Sequence, residues 1–228
     1  MKRDIPTFAL CLLLALCPIF ILAAQDADPG LREIRQGIDF YKISNFSAAL
    51  EKFTSVLKNP AFKSAHGDAF FWSAKSAAAL GRYDEAAKNI EYFLKNFPRN
   101  PYFPEGLYEK GRLLHLQGEH EAAIVVLQDF LAAYPDSEYA ANAYYWMGES
   151  LFALGEFKSA ERMFSTVTTR YPTSFRAEAA RFRAELIGLK YREEELLKLL
   201  KWSHEEHLKA LEESGKNETA YAEALKAY

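Results

Sequence analysis

Apolar residues along this chain fall at helical spacing, and the helical segments recur. Tyr144, Met147, Gly148 and Leu151 share one helix face, and after Gly155 another is shared by Ala160, Met163, Phe164 and Val167. The pattern returns with a 37-residue step, which places Gly37, Ala74, Gly111 and Gly148 in one column. Ala49, Ala86, Ala123 and Ala160 form a second column, and Phe46, Tyr83, His120 and Phe157 a third. Gly81, Gly118 and Gly155 form a fourth, with Ser44 in the first copy; Pro98, Pro135 and Pro172 form a fifth, with Pro60 one residue early. Columns that hold one period across successive copies mark a repeat whose units stack on one another.

Each half-unit is about three turns long, too short to be stable alone in water, so neighbouring units must supply the packing. Small residues at Ala69, Gly106 and Ala143, and again at the Gly37 column, predict close approach of helix backbones. The mid-unit glycine predicts a tight turn between two helices. Asp84, Glu85, Glu119, Glu121 and Ser47 then fall at the start of second helices, where the macrodipole favours them. Phe97, Tyr134 and Tyr171, each followed by Pro, close three units, and the next helix is entered through Asp136 and Ser137 or Thr173 and Ser174.

The run AANAYYWMGESLFALGEFKSAERMFSTVTTRYPTS carries aromatic, Leu-Gly, aromatic, Ala, Phe and Pro in an order that resembles the tetratricopeptide repeat family. The resemblance implies an all-α solenoid of stacked helix-turn-helix units over residues 25–212. Units are expected at about 30–63, 67–100, 104–137 and 141–174, with a degenerate closing unit at 176–212. That last unit keeps Ala180 on the beat but places Gly188 early, as an atypical end unit does. Residues 193–211 are expected to cap the last repeat with an amphipathic helix of Leu196, Leu197, Leu199, Leu200, Trp202, Leu208 and Leu211. After Gly215 a separate helical tail is expected over 213–228.

Residues 1–24 have the layout of a secretory signal peptide: Lys2 and Arg3, an apolar stretch over 8–22, then Ala23, Ala24 and Gln25. Cleavage after Ala24 is expected, with an uncleaved membrane anchor or lipidation at Cys17 as the alternatives. Cys11 and Cys17 both lie in this segment, so the rest of the chain has no disulfide or thiolate metal site available. The 28 basic and 31 acidic side chains give a net charge of −3, and no basic stripe points to nucleic acid.

First helices of stacked tetratricopeptide units line an inner face, and the family resemblance implies that exposed residues there contact partners. Aligned on the beat, one row is Ile34, Phe71, Tyr108 and Tyr145, the next is Ile38, Lys75, Arg112 and Glu149, and a third is Tyr41, Ala78, His115 and Phe152. Aromatic area beside Lys75 and Arg112 suits an extended or helical peptide with an acidic group. The expected groove is therefore Phe71, Lys75, Tyr108, Arg112, Tyr145 and Glu149. The competing reading packs the rings between neighbouring helices.

His204 and His207 stand three apart, not at the four-residue spacing of a zinc-protease helix, and read as a solvated face. Asn45 and Asn217 match the glycosylation pattern, the first explained by a helix-start turn. No metal, cofactor, catalytic residue or small-molecule substrate is expected. The segment PDSEYAANAYYWMGESLFALGEFKSAERMFSTVTTRYPTSFRAEAA is similar to envelope tetratricopeptide proteins of diderm bacteria. Among these are the Tol–Pal-associated cell-division coordinator and, less closely, the lipoprotein of the outer-membrane β-barrel assembly machinery. The resemblance implies a non-catalytic periplasmic scaffold that binds another envelope protein or peptide, touching membrane only indirectly or through an uncleaved N-terminal segment. The alternative is a structural subunit docking through its C-terminal helices and convex face.

Overall fold

A left-handed residue stands at each short turn between paired helices: Ser44 at φ 61°, Gly81 at 75°, Gly118 at 84° and Gly155 at 78°. Glycine adopts this conformation without a Cβ penalty, which is why the column holds it in three copies. The turn is closed the same way each time. The amide one residue beyond donates five residues back at 2.9 Å, from Asn45 to Phe40, Arg82 to Ala77, Glu119 to Leu114 and Glu156 to Leu151. This is the 6→1 bond of a Schellman closure.

The computed structural model describes residues 28–227. Its helices are α1 (Pro29–Lys42), α2 (Phe46–Lys58), α3 (His66–Ala79), α4 (Tyr83–Asn96), α5 (Phe103–Leu116), α6 (His120–Ala133), α7 (Ala140–Ala153), α8 (Phe157–Arg170) and α9 (Ala177–Lys226). A 3₁₀ segment, Pro60–Ala65, follows α2, whose end comes early with Pro60. No strand occurs among the described residues, and no described helix is long and apolar enough to cross a membrane. The expected signal segment, residues 1–24, lies outside the described residues.

The chain divides after Glu156 into two compact units. In the first, each helix packs on the next, and first helices also meet one another: α1 with α3, α3 with α5, and α5 with α7. Second helices supply the core in two columns, Phe53, Ile90 and Leu127, then Val56, Phe93 and Phe130, all at most 1% exposed. Burying each such side chain contributes about 1.5–3 kcal/mol.

The beat glycines make room for side chains rather than for a second backbone. A Cβ on Gly37 would lie 2.4 Å from Phe53 Cε1, and one on Gly111 would lie 2.5 Å from Leu127 Cγ. Capping follows the sequence in part. Asn45 Oδ1 accepts from Ala48 N–H at 3.3 Å, so that asparagine is a helix cap, and Ser137 Oγ accepts from Tyr139 N–H at 3.2 Å at the entry to α7.

The second unit pairs α8 with the first turns of α9, burying Ala160, Phe164, Val167, Ala177, Ala180 and Ile187. Here the expectation fails. There is no closing hairpin, no capping helix over 193–211 and no separate tail, because α9 runs unbroken for 50 residues through Gly188 and Gly215. The position 37 residues after Gly155 is Arg192, and that after Pro172 is Lys209, so both the turn glycine and the stop proline are missing. A glycine inside a helix costs only about 1 kcal/mol against alanine, too little to interrupt a cooperative helix. The leucines assigned to a cap are exposed, from 51% at Leu208 to 69% at Leu200.

Candidate functional site

Packing α1, α3, α5 and α7 side by side brings one band of polar and aromatic groups to a single face. Lys75 on α3 lies at its centre. Its Nζ donates to Glu105 Oε1 on α5 at 2.5 Å and sits 4.8 Å from the Trp72 ring, 5.5 Å from Phe71 and 5.6 Å from Tyr41. The side chains of Lys75 and Glu105 are 16% and 11% exposed, so the pair is largely removed from water. Rings around the ammonium replace part of its hydration through their negative faces.

Glu105 is shared. Tyr139, at the entry to α7, lies beside it, and burial together with this carboxylate raises the phenol above its usual range. Tyr139 in turn stacks on Tyr108, centroids 5.1 Å apart, and Tyr108 Oη accepts from Trp146 Nε1 at 3.2 Å. Beside this lies a second ion pair, in which Arg112 Nε donates to Glu109 Oε2 at 2.8 Å with Nη2 at 2.7 Å. Burial alone would lower the Arg112 guanidinium, but Glu109 outweighs it and the net shift is upward. Tyr41 is raised by burial, opposed by Lys75.

Further along, His115 Nδ1 meets Ser150 Oγ at 3.0 Å, and Ser150 Oγ donates to the Trp146 carbonyl at 2.9 Å. The His115 ring lies 5.0 Å from Trp146 and 5.1 Å from His120.

Of the six expected groove residues, the aromatic three are corrected. Phe71 is 0% exposed, Tyr108 4% and Tyr145 9%, so their rings pack between helices and offer no area to a guest. Phe71 stacks on Tyr102 at 4.6 Å and also meets Phe93. The reason is the close spacing of first helices, which encloses whatever projects between them. Glu149 is likewise buried, at 8% exposure. Lys75 and Arg112 do reach the face, though each is engaged by a carboxylate.

Those carboxylates, Tyr139 and the tryptophans were not singled out in the sequence. Their columns were legible one position away: Asp68, Glu105 and Asn142 share the 37-residue step, as do Trp72, Glu109 and Trp146.

Adjoining the Lys75–Glu105 pair is a cleft of about 650 Å³. Pro101, Pro104 and Pro135 with Tyr102, Tyr134 and Tyr139 form its apolar walls, and Asp136 and Glu138 give it negative charge, the Glu105 carboxylate being held by Lys75. Among the described residues no cluster of three or more His, Cys, Asp or Glu is placed to hold a metal. His204 and His207 lie exposed on α9.

Known proteins agree with this architecture. The chain is similar in fold to MamA from Desulfovibrio magneticus RS-1, at 16% identity and TM-score 0.53 over 73% of this chain and 97% of that one. It is similar also to MamA AMB-1, at 21% identity and TM-score 0.52 over 70% and 82%. The nearly identical TPR-like repeats of a kinesin light chain from Podosopora anserina match at 14% identity and TM-score 0.55 over 75% and 92%. No curated protein sequence matches the chain. The tetratricopeptide repeat model matches residues 34–101, 73–138 and 114–186, and so the chain belongs to the tetratricopeptide repeat family.

Proposed function

We propose that this protein is a non-catalytic scaffold of the cell envelope that holds another protein or peptide on the face of its first helices. Tetratricopeptide repeat proteins bind protein partners, and the observation that carries the reading here is the cleft beside Glu105. Its proline and tyrosine walls suit an apolar side chain, and the exposed Asp136 and Glu138 suit a neighbouring Lys or Arg. The partner is thus a segment pairing an apolar anchor with a basic residue, rather than the acidic peptide expected from Lys75 and Arg112, whose charges are already met by Glu105 and Glu109.

Export to the periplasm is part of the proposal and rests on the layout of residues 1–24 and on the similarity of the third and fourth units to envelope proteins of diderm bacteria. Fractionating cells that express the full chain tests it: recovery in the periplasmic or outer-membrane fraction supports export, and recovery in the cytosol overturns it.

Binding is tested by capture from solubilised envelopes. Asp136→Lys with Glu138→Lys reverses two exposed charges at the cleft without touching the core. Loss of the captured protein with an unchanged circular dichroism spectrum supports the site, whereas undiminished capture overturns it. The second reading, a structural subunit docking through its C-terminal helix, is favoured by the exposed leucines of α9. Deleting residues 193–228 separates the two, since capture survives it in the first case and is lost in the second.

A further inference from the structure

Helix α9 carries a leucine stripe with an 11-residue beat. Leu186, Leu197 and Leu208 form one column and Leu189, Leu200 and Leu211 another, with Glu193 and His204 in the column between. All six leucines are exposed, from 36% at Leu186 to 69% at Leu200. Eleven residues over three turns give about 3.67 per turn, so the stripe keeps to one face of a nearly straight helix. Its ends lie about 38 Å apart at 1.5 Å per residue. The side of α9 that meets α8, marked by buried Ala177, Ala180 and Ile187, is roughly a third of a turn away. Leu199 and Trp202 lie off the stripe and take no part.

The stripe reads the same from either end. Its steps run 3, 4, 4, 3, 4, 4, 3 from Leu186 to Leu211. We propose that a second copy of this chain covers it, antiparallel, with the twofold axis between Lys198 and Leu199. In that register Leu186 faces Leu211 of the second copy, Leu189 faces Leu208 and Leu197 faces Leu200. The two polar members also match, since Glu193 faces His204 across the axis. A parallel pair would set Glu193 against Glu193 and His204 against His204. Charge therefore selects direction, and an isologous interface follows from one self-complementary patch. This interface is separate from the cleft and stands whether or not the cleft binds a partner.

The test uses the full chain with Cys11 and Cys17 replaced by Ser. Leu186→Cys and Leu211→Cys are made in separate chains, mixed and oxidised. The expected result is a disulfide-linked dimer from the mixture and none from either chain alone. By sedimentation the parent has twice the chain mass, and Leu197→Glu with Leu200→Glu has the chain mass at unchanged helicity. Glu193→Lys weakens association about tenfold or more by removing the acceptor that faces His204, and adding His204→Glu restores it by reversing the pair. A monomeric parent overturns the proposal, as does a parent that gains mass only with a different protein. Self-linking of the Leu186→Cys chain, or a dimer indifferent to the paired Leu→Glu change, overturns it equally.

Discussion

Lys75 and Glu105 meet at 2.5 Å across α3 and α5, each with more than four-fifths of its side chain withdrawn from water. Removing one partner strands the other charge, which costs far more than the pair itself is worth. Lys75→Met is expected to destabilise the protein by about 3 kcal/mol, and Lys75→Met with Glu105→Gln to regain most of that loss. Urea unfolding of the single and double variants measures both. Equal losses in the two would show that the lysine acts through packing alone.

Ser44 sits at φ 61°, where its column otherwise holds glycine. A left-handed residue with a Cβ costs about 1–2 kcal/mol, partly offset by the greater freedom of glycine in the unfolded chain. Ser44→Gly is expected to raise stability by about 0.5–1 kcal/mol, and Gly118→Ala to lower it by about 1 kcal/mol. Thermal melts of both variants check the pair.

Two helical glycines behave oppositely in space. A Cβ at Gly111 would strike Leu127 Cγ at 2.5 Å, whereas one at Gly215 meets nothing within 4 Å. Gly111→Ala should destabilise by about 1–3 kcal/mol through overpacking. Gly215→Ala should stabilise α9 by up to about 1 kcal/mol. Hydrogen exchange along α9 reads the second change; slower exchange on both sides of residue 215 is the expected outcome, and no change would argue for a break there.

Asp68 has its carboxyl raised above the ordinary aspartate value by burial, opposed by the bond from Asn100 Nδ2 at 2.6 Å. A folded state that holds this proton more tightly than the unfolded chain loses stability as pH rises through the carboxylate range. Asp68→Asn keeps the acceptor and removes the charge. It is expected to be more stable than the parent at neutral pH, with the difference shrinking as pH falls through about 4. Chemical unfolding at several pH values checks the sign.

The repeat was legible because stacking leaves its mark on every copy: the turn column answers a left-handed backbone, and the small-residue column leaves room for Phe53 and Leu127. The site was legible only as a face. Which groups on that face are free depends on contacts between units, and a single unit's sequence does not contain them. Phe71 looks like a binding aromatic until Tyr102 and Phe93 close over it, and Lys75 looks like a free cation until Glu105 arrives from the next unit. Helix α9 departs from its sequence pattern for the opposite reason. Gly188 and Gly215 read as punctuation, but without a left-handed φ or a following proline a glycine in a long helix is only a missing side chain.

Glu105 holds a lysine that precedes it by one unit and acts on the phenol of a tyrosine that belongs to the next. In a solenoid each module touches only its immediate neighbours, so an end can fray while the middle endures. A shared carboxylate works like a rivet through three plates. Replacing it should loosen amide protection on both flanking units at once, so that what melts is the block and not the module.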